Sequence, residues 1–521
     1  MGAGIAQAAL VAGFPVLLYD IDSVVLTHAR ERIAAGLSKQ GHANAIAQLQ
    51  LATSLDELSR ASLVIEAVPE QLELKRELLT RIDAICPAPA IIASNTSSLP
   101  IAALAAACRA PERVAGLHFF NPVHRMALVE VVWAAQTDIA TVTTLMAFAE
   151  RLGKTPVLAR DTPGFIVNRV ARPFYGEALR IVGDGVASVE AVDMALQQAG
   201  HFPLGPFALM DLIGIDVNFA VTKSMYEQSF GEPRFRPHPI QQQKILVGQL
   251  GRKTGHGFYE YSSQQSAVAS RQSPGSWQQA AAVRQQAAET QGNNQSAIGS
   301  RQSAIISTGT WAPSMTDMLT TAGWTLLEEL PYGQISVDAA FVVAGRDEGA
   351  VDQTLILDRT LPAHVPIFAQ SVDVTASELA MELRFPERLV GYDGLFTDTI
   401  MTLVATPKLD TTVRAAAEAL VHGLGREPIW IEDGPALLVP RIIAMLANEA
   451  AFAVGEDVAD AEAIDTAMRL GMNHPVGPLA RAQQIGYDKI AVILDHLRTE
   501  YGEERYRVAP RLRRAVRLGT L

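Results

Sequence analysis

The sequence contains very little cysteine: Cys86 and Cys108 are the two cysteines among 521 residues. Their spacing does not match that of metal ligands, so we expect no cysteine-bound metal and a reducing compartment. Long apolar runs are missing as well, since none approaches the roughly 20 residues that span a membrane. Residues 1–10 carry neither a basic leader nor a cleavage site. We therefore expect a cytoplasmic protein with no membrane partner.

Positive charge is also scarce. Lys and Arg number 43 against 55 Asp and Glu, which gives a formal net charge of −12 and a pI near 5.5. This balance argues against nucleic acid as a partner, and an anionic substrate would need a local basic patch that bulk charge does not reveal. Apolar residues are abundant, at 49% of the chain. The length allows about three or four domains with sizeable cores.

Short apolar runs alternate with helical patterns in the first part of the chain, residues 1–160. Residues 5–11 have a helical pattern, and the run 16–19 predicts a buried strand that ends at Asp20. Strands separated by helices predict an α/β fold with a Rossmann-like, doubly wound, mostly parallel sheet. Residues 161–261 have few strand signals and predict an all-α second domain. The further strand candidates are Leu63–Ala67, Ala90–Ser94, Val114–His118 and Leu128–Val132.

Residues 262–310 differ in kind, because they are rich in Gln, Ser and Ala. The nonapeptide Gln265–Ser273 recurs nearly unchanged at Gln295–Ser303. Such a segment has too little apolar content to offset the entropy of ordering it, so we predict a flexible linker without an enzymatic role.

The chain repeats itself at a constant offset, which is the separation between Val186 and Val458. The repeat predicts a second, shorter α/β unit at 311–433 and a second helical domain at 434–521. Upstream of these matches, Pro111–Arg113 corresponds to Pro386–Arg388. The other pairs with the same separation as Val186 and Val458 include Asp193 and Asp465, Pro203 and Pro475, Gly205 and Gly477, Gly214 and Gly486, and Asp216 and Asp488.

A dinucleotide fold places pyrophosphate at a glycine-rich turn before its first helix, where backbone N–H groups and the helix dipole meet the phosphates. This chain opens with Met1-Gly2-Ala3-Gly4 at the start of a helix, and Asp20 follows at the end of the next predicted strand. The Asp20 carboxylate would accept hydrogen bonds from the adenosine ribose and repel a 2′-phosphate, which favours NAD over NADP. The alternative role for such an acid is a turn or a helix cap.

The strand and the first two glycines of that turn are not part of the given sequence. Losing four or five buried aliphatic side chains from a central strand would cost roughly 6 to 15 kcal/mol, about the stability of a whole domain. We therefore expect that the start has been placed at an internal methionine, the alternative being a truncated protein that binds its cofactor poorly.

Five motifs in a fixed order carry a resemblance to a known family. They are NTSSL at Asn95–Leu99, GLHFFNP at Gly116–Pro122, LVEV at Leu128–Val131, DTPGFIVNR at Asp161–Arg169 and GRKTGHGFY at Gly251–Tyr259. With these motifs the chain resembles the 3-hydroxyacyl-CoA dehydrogenase family over nearly everything except the linker. The two-copy layout and the ending at Tyr501–Tyr506 resemble the bacterial form associated with phenylacetate breakdown. The resemblance implies NAD-dependent oxidation of an (S)-3-hydroxyacyl-CoA to the 3-ketoacyl-CoA, in fatty-acid or phenylacetate-type degradation.

The resemblance also implies roles that side-chain chemistry supports. His118 would take the hydroxyl proton, since imidazole titrates near working pH. Glu130 would hold the other ring nitrogen and stabilise the imidazolium. Ser97 would hydrogen-bond the substrate oxygen, and Asn168 would reach across the cleft to the substrate and His118. The implied cofactor residues, besides Gly2 and Asp20, are Ala67, Glu70 and Lys75 flanking the cofactor, and Asn95 and Asn121 near the nicotinamide ribose.

Each of these residues also has an ordinary structural role open to it. His118 could be a satisfied histidine at a strand end, and Ser97 could cap the helix that follows it. Glu130 could be a solvated edge residue and Asn168 a helix-surface amide, while Lys75 could lie on the surface. The joint appearance of these residues within the family motifs favours the catalytic interpretation.

The second half supplies an internal control for this interpretation. An Asp is a poor base for an alcohol near pH 7, since its usual pKa is about 3.9. We therefore predict that the second half is structural and packs against the first helical domain, where simpler family members bury a dimer partner. The aligned pairs are Ser371 with Asn95, Asp373 with Ser97, Asp393 with His118 and Pro440 with Asn168.

Three functions compete at this stage. The first is the acyl-CoA dehydrogenation just described, and the second is oxidation of free hydroxy acids on the same fold, which commonly uses a lysine base. The third is a catalytically impaired product, or a pseudoenzyme that lacks the phosphate-binding turn. By resemblance, 3-hydroxyadipyl-CoA and 3-hydroxybutyryl-CoA lead as substrates without a ranking, and His124 and Arg125 are candidates to meet a terminal carboxylate. We predict no metal, and a homo-oligomer stays open.

Overall fold

The computed structural model describes residues 1–261, 303–327 and 337–521. It contains two α/β units, each followed by a helical unit, as the duplicated motifs predict. Residues 262–302 of the predicted linker lie outside the described residues. In the described part of the chain, none of the helices has the length and apolar character needed to cross a membrane.

The first α/β unit has the predicted alternation of strands and helices. Its strands carry buried aliphatic runs; Ile91–Ser94, for example, is buried at every position. Its longest helix is capped by Asp22, whose carboxylate accepts from the backbone N–H of Val24 at 2.8 Å. The strands are β1 (Val16–Leu18), β2 (Leu49–Leu51), β3 (Leu63–Glu66), β4 (Ile91–Ser94), β5 (Val114–Phe119), β6 (Leu128–Trp133) and β7 (Thr155–Arg160), and the helices are α1 (Gly2–Val11), α2 (Ser23–Lys39), α3 (Leu72–Ile85), α4 (Ile101–Ala105) and α5 (Ile139–Arg151).

These strands form two separate sheets. Strands β1 and β2 pair in parallel, and the other five form a sheet in the order β3-β4-β5-β6-β7. The pairs β3–β4, β4–β5 and β6–β7 are parallel, whereas β5 and β6 are antiparallel. A cavity of about 2070 Å³ is lined both by β1 residues such as Leu17 and by β3 residues such as Ile65. The carboxyl end of β3 and the start of α1 therefore line one large opening.

The first helical unit follows from residue 161. Its helices are α6 (Val167–Val170), α7 (Arg172–Gly183), α8 (Val189–Gln198), α9 (Pro206–Ile213), α10 (Ile215–Gln228) and α11 (Pro239–Leu246). Helix α9 begins where the buried Asp193 carboxylate accepts from the N–H groups of Phe207 and Ala208, both at 2.9 Å.

The second α/β unit forms one seven-stranded sheet in the order β14-β13-β12-β11-β10-β8-β9. Its first strand, β8, lies at Ser303–Ile306 and pairs in parallel with β9 and β10. Composition assigned these residues to the linker; that boundary is wrong, because the short Ala-Ile-Ile run is enough to form a strand between two others. The remaining strands are β9 (Thr325–Leu327), β10 (Ala339–Val342), β11 (Ile367–Gln370), β12 (Leu389–Tyr392), β13 (Ile400–Ala405) and β14 (Glu427–Glu432), with helices α12 (Met315–Thr321), α13 (Ala350–Thr360), α14 (Ala376–Ala380) and α15 (Thr411–Gly423).

The second helical unit repeats the hydrogen bonds of the first. Asp465 accepts from the N–H groups of Leu479 and Ala480, both at 2.9 Å, as Asp193 does for α9. Side chains that correspond under the repeat therefore make equivalent hydrogen bonds. The helices of this unit are α16 (Val439–Gly455), α17 (Ala461–Gly471), α18 (Pro478–Ile485), α19 (Tyr487–Tyr501) and α20 (Pro510–Leu518).

The two halves pack against each other through α7 and α16 and share one hydrophobic core. Two backbone hydrogen bonds show the symmetry of this contact. The N–H of Arg160 donates to the carbonyl of Val458 at 2.8 Å, and the N–H of Glu432 donates to the carbonyl of Val186 at 2.9 Å. Each bond is the image of the other under the repeat, because Arg160 aligns with Glu432 and Val186 with Val458, as at the interface of a two-fold dimer. The prediction that the second half packs on the first helical domain is confirmed.

Candidate active site

A buried histidine–carboxylate pair lies on the antiparallel strands β5 and β6. The register of these strands places His118 directly opposite Glu130. Nδ1 of His118 and Oε2 of Glu130 are 2.6 Å apart, and the exposed fractions of the two residues are 7% and 0%. With the ring proton on Nδ1 and donated to the carboxylate, Nε2 is the proton acceptor. The alternative of a solvated Glu130 at a sheet edge is wrong.

The second oxygen of Glu130 is held by the start of the first helical unit. Oε1 accepts from the N–H of Ile166 at 3.0 Å and from that of Val167 at 2.9 Å. Phe165 lies just before this turn, with its ring 6.1 Å from the His118 ring between centroids. Both oxygens of Glu130 are thus occupied, which fixes the plane of the carboxylate and through it the orientation of the imidazole.

The loop after β4 is organised by Glu70. Oε1 of Glu70 accepts from Oγ1 of Thr96 at 2.6 Å, from the N–H of Ser97 at 2.9 Å and from the N–H of Ser98 at 3.1 Å. Burial opposes the charged form, but the hydrogen bond from Thr96 and the charge of Lys75 leave the pKa of Glu70 below its ordinary value. A charged Glu70 therefore holds the loop that carries Ser97.

Ser97 and Asn168 meet across the cleft between the α/β unit and the helical unit. Nδ2 of Asn168 donates to the backbone carbonyl of Ser97 at 3.2 Å. The turn after Ser97 is capped by Thr96 instead, because Oγ1 of Thr96 accepts from the N–H of Leu99 at 2.9 Å. The structural alternatives for Ser97 as a cap and for Asn168 as a surface amide are wrong. The geometry brings together the predicted residues in two pairs, His118 with Glu130 and Ser97 with Asn168.

The cavity between the two sheets brings together four of the predicted cofactor residues. Gly2, Asp20, Ala67 and Asn121 all line it. The N–H groups of Gly2 and Ala3 precede the first hydrogen bond of α1, which runs from Gly4 to the carbonyl of Met1 at 2.8 Å. This end of the helix is therefore suited to phosphate oxygens. Asp20 is exposed beside it, immediately beyond β1. Oδ1 of Asp20 accepts from the N–H of Asp22 at 3.1 Å, the contact of an acid in a turn. A helix start, an exposed acid and aliphatic walls fit a dinucleotide.

Three predicted cofactor residues are not part of the cavity lining: Glu70, Lys75 and Asn95. Asn95 uses Oδ1 to accept from the N–H of Phe119 at 2.9 Å, which ties its loop to β5. Glu70 holds the same loop from the other side. Asn95 and Glu70 therefore hold the loop after β4 in place.

Lys75 is buried, with 1% of its surface exposed, so the alternative that it lies on the surface is wrong. Its ammonium donates to Oε1 and Oε2 of Glu66 at 2.9 and 2.8 Å, and to the carbonyl of Val68 at 3.1 Å. These bonds occupy all three protons of the ammonium. Sequence reasoning missed Glu66, which lines the cavity. The available signal was an acid ending a strand, the same one that pointed to Asp20.

The second half lacks the histidine–carboxylate pair. Asp393 and Thr402 lie at the positions of His118 and Glu130, because the β12–β13 register continues to them and the N–H of Asp393 donates to the carbonyl of Thr402 at 3.0 Å. Both side chains are buried. Burial raises the pKa of Asp393 to about 7. The ordinary pKa of about 3.9 expected from the sequence is therefore wrong for Asp393. What the second half lacks is a histidine at this position and a carboxylate opposite it, where Thr402 stands.

Comparison with known proteins gives one consistent family. The model of the 3-hydroxyacyl-CoA dehydrogenase NAD-binding domain matches residues 1–162, and the model of the C-terminal domain of the same family matches 164–261 and again 438–521. The second helical match lies where the internal repeat predicts it.

Individual proteins agree with these models. The chain is 36% identical to a 3-hydroxyadipyl-CoA dehydrogenase of Escherichia coli (strain K12), over 99% of this chain and 96% of that protein. It is 38% identical to a probable 3-hydroxybutyryl-CoA dehydrogenase of Bacillus subtilis (strain 168), over 51% of this chain and 96% of that protein. A crystal structure of 3-hydroxybutyryl-CoA dehydrogenase from Escherichia coli K12 superposes with a TM-score of 0.77, at 33% identity, covering 99% of this chain and 96% of that one.

Proposed function

The chain belongs to the 3-hydroxyacyl-CoA dehydrogenase family, and we propose that its catalytic pair is His118 and Glu130 of the amino-terminal half. The protein is an NAD-dependent oxidoreductase that acts on a hydroxyacyl-CoA. The observation that supports the assignment of the pair is the 2.6 Å contact between Nδ1 of His118 and Oε2 of Glu130. It is the contact expected of a base oriented by a carboxylate.

Oxidation of a secondary alcohol separates a proton from a hydride. His118 takes the proton of the 3-hydroxyl on Nε2, while bound NAD supplies the hydride acceptor. The imidazolium formed in this step is buried, so its charge must be offset within the protein. Glu130 offsets it through Nδ1, and the N–H groups of Ile166 and Val167 hold the Glu130 carboxylate in place. In the reverse direction the imidazolium returns the proton to the keto oxygen.

Ser97 and Asn168 orient the substrate. In this proposal the Ser97 hydroxyl, which donates to Oε1 of Glu70 at 3.3 Å, turns to donate to the oxygen on C3. Asn168 donates to the Ser97 backbone carbonyl from the opposite wall of the cleft. Such positioning places reacting atoms within reach of each other, which accounts for a large part of enzymatic rate enhancement. The N–H groups of α1 would hold the pyrophosphate of NAD, and Asp20 its adenosine ribose.

Replacement of the proposed base tests this assignment. We expect His118→Ala to lower kcat/KM by at least about a hundredfold, the low end for loss of a general base. The assay follows NADH formation from 3-hydroxybutyryl-CoA, and NADH binding is titrated in parallel. Asp393→Asn is the matched control, because it changes the equivalent position of the second copy and should leave turnover unchanged. A fully active His118→Ala variant would exclude His118 as the base.

Substrate preference requires a comparison of acyl groups. The relatives are named for 3-hydroxyadipyl-CoA and 3-hydroxybutyryl-CoA, and we propose both as substrates of this chain. His124 lines the cofactor cavity, which supports a place near the cofactor over contact with a terminal acyl carboxylate. Rates on each CoA ester and on free 3-hydroxybutyrate separate the acyl-CoA activity from oxidation of free hydroxy acids.

We also propose a cytoplasmic location, which the two free cysteines support. We propose no nucleic-acid partner, which the net charge of −12 supports. The shared core between the halves supports a protein in which the second copy takes the place of a dimer partner. A pseudoenzyme is the outcome if NADH does not bind to the chain.

A further inference from the structure

One helical turn connects the catalytic pair to the second half of the chain. Helix α6 spans Val167–Val170. Its first N–H groups hold Glu130 and its Asn168 meets Ser97, so this turn sets both pairs of active-site residues. The next residue, Arg169, faces the other half of the chain.

Arg169 is buried, with 4% of its surface exposed, and its partners come from the second half. Nε of Arg169 donates to Oε1 of Glu449 at 2.7 Å. A terminal nitrogen of the guanidinium donates to Oε2 of Glu456, also at 2.7 Å. Glu449 is itself 2% exposed and accepts a further hydrogen bond from Arg234 at 2.7 Å. Buried pairs of this kind are costly to break on one side, because the remaining charge is left without compensation.

The second half touches the same turn at another point. A Cβ placed on Gly471, at the end of α17, would lie 2.9 Å from the side chains of both Leu128 and Val167. Leu128 begins the strand that carries Glu130, and Val167 begins α6. The carboxy-terminal half therefore contacts α6 and β6 by packing as well as by charge.

We propose that Glu449 is a positioning residue for the active site of the other half of the chain. It acts through Arg169, which anchors α6, and α6 in turn holds the Glu130 carboxylate and Asn168. The inference rests on the proposed roles of His118 and Glu130. It gives the catalytically inert copy a specific task in the reaction.

The duplication provides a matched control inside the same interface. Under the repeat Arg441 is the counterpart of Arg169 and Glu177 that of Glu449, and Nε of Arg441 donates to Oε2 of Glu177 at 2.9 Å. Both of these residues are 1% exposed. Arg441 follows Pro440, which aligns with Asn168 but has no amide to present. This second pair is likewise a buried Arg–Glu pair across the interface, although the further partners of Arg441 are the hydroxyls of Tyr501 and Tyr506 and not a second carboxylate. It anchors a site without a base.

The test compares Glu449→Gln with Glu177→Gln in the full chain. We expect both to lower the melting temperature, since each removes a buried charge with two cationic partners. Glu449 pairs with Arg169 and Arg234, and Glu177 pairs with Arg441 and Arg180. Glu449→Gln should lower kcat by at least about tenfold, because small displacements of catalytic groups cost one to two orders of magnitude. The KM for NAD should stay within about twofold, because the cavity lies away from α6. Glu177→Gln should keep kcat within about twofold of wild type.

A double-mutant cycle separates positioning from general destabilisation. If Glu449 acts through α6, its effect on kcat/KM should shrink when Asn168 is already replaced by Ala, whereas independent effects add. Glu177→Gln should remain additive with Asn168→Ala. Equal kcat losses in Glu449→Gln and Glu177→Gln, or a normal kcat in Glu449→Gln, would overturn the inference.

Glu456→Gln covers the case in which Glu449→Gln does not fold. Glu456 is the second partner of Arg169 and its side chain is 45% exposed, so the fold should tolerate the change. A fall in kcat of about threefold, at unchanged KM for NAD, supports the inference, and an unchanged kcat contradicts it. An active His118→Ala variant would instead refute the catalytic pair, so failure of the proposed function and failure of this inference give different results.

Discussion

Asp393 of the second half should make the stability of the protein depend on pH. Its Oδ1 accepts from the N–H groups of Leu395 and Phe396 at 2.9 and 3.2 Å. Its Oδ2 has no hydrogen-bond partner within the described residues, and the residue is 0% exposed. Burial therefore raises the pKa of Asp393 to about 7, while the unfolded chain should have a pKa near 3.9.

The direction of the pH dependence follows from whether the folded or the unfolded state binds the Asp393 proton. Between a pH of about 4 and about 7 the folded protein keeps the Asp393 proton and the unfolded chain releases it, so stability falls as the pH rises. Above a pH of about 7 the full penalty applies, and a rise of this size corresponds to roughly 4 kcal/mol. Asp393→Asn preserves an acceptor for both N–H groups and carries no charge. It should therefore be more stable than wild type at pH 8 by up to this amount, with the gain shrinking toward acid pH.

Urea unfolding of both proteins across this pH range measures the difference directly. The control is Asp410→Asn, which changes the exposed N-cap of α15, where hydrogen bonds from Thr412 lower the pKa of the carboxyl. The Asp410 variant should show no gain that grows with pH. A constant free-energy difference between wild type and Asp393→Asn at all pH values would refute a buried carboxyl that titrates near neutrality.

Two further predictions concern the first half. Asp20→Ala should weaken NADH binding about tenfold, the value of one or two hydrogen bonds to a charged group, and should reduce the preference of the protein for NADH over NADPH. Fluorescence titration with both nucleotides measures the two affinities, and an unchanged preference contradicts the assignment of Asp20 to the ribose. Lys75→Met should lower the free energy of unfolding by about 3 to 5 kcal/mol, because Glu66 is left buried without its cation; denaturant unfolding checks the change, and an unchanged midpoint contradicts the buried pair.

Local patterns were sufficient to predict most of the fold. The buried runs that became β4 and β5 are nearly continuous in apolar residues, as expected of strands covered on both faces. The internal repeat predicted α9 and α18 at equivalent positions, because each helix begins at a Gly-Pro pair and is capped by an equivalent Asp carboxylate. Strand β8 was missed because four residues next to a polar segment carry too weak a periodicity, and only its two neighbours in the sheet make it a strand.

The site was predictable in its residues but not in its contacts. His118 and Glu130 belong to different strands, and only the antiparallel register brings them face to face. Lys75 has the composition of a surface residue, and its burial depends on Glu66 ending a different strand. No local pattern connects Arg169 to Glu449, because they are far apart in the sequence and meet through the packing of the two helical units.

The two copies differ at positions that would contact substrate and agree at positions that support the fold. Arg169 and Arg441, Glu177 and Glu449, and Asp193 and Asp465 have the same side chains in both copies, whereas His118 and Glu130 are replaced by Asp393 and Thr402. An ion pair across the pseudo-two-fold axis uses one residue from each copy, so a change in either copy exposes a buried charge in the other. A catalytic base has no such partner across the axis. A copy without the proposed base therefore keeps the interface intact, whereas under our proposal the loss of Glu449 would disturb His118 in the other copy.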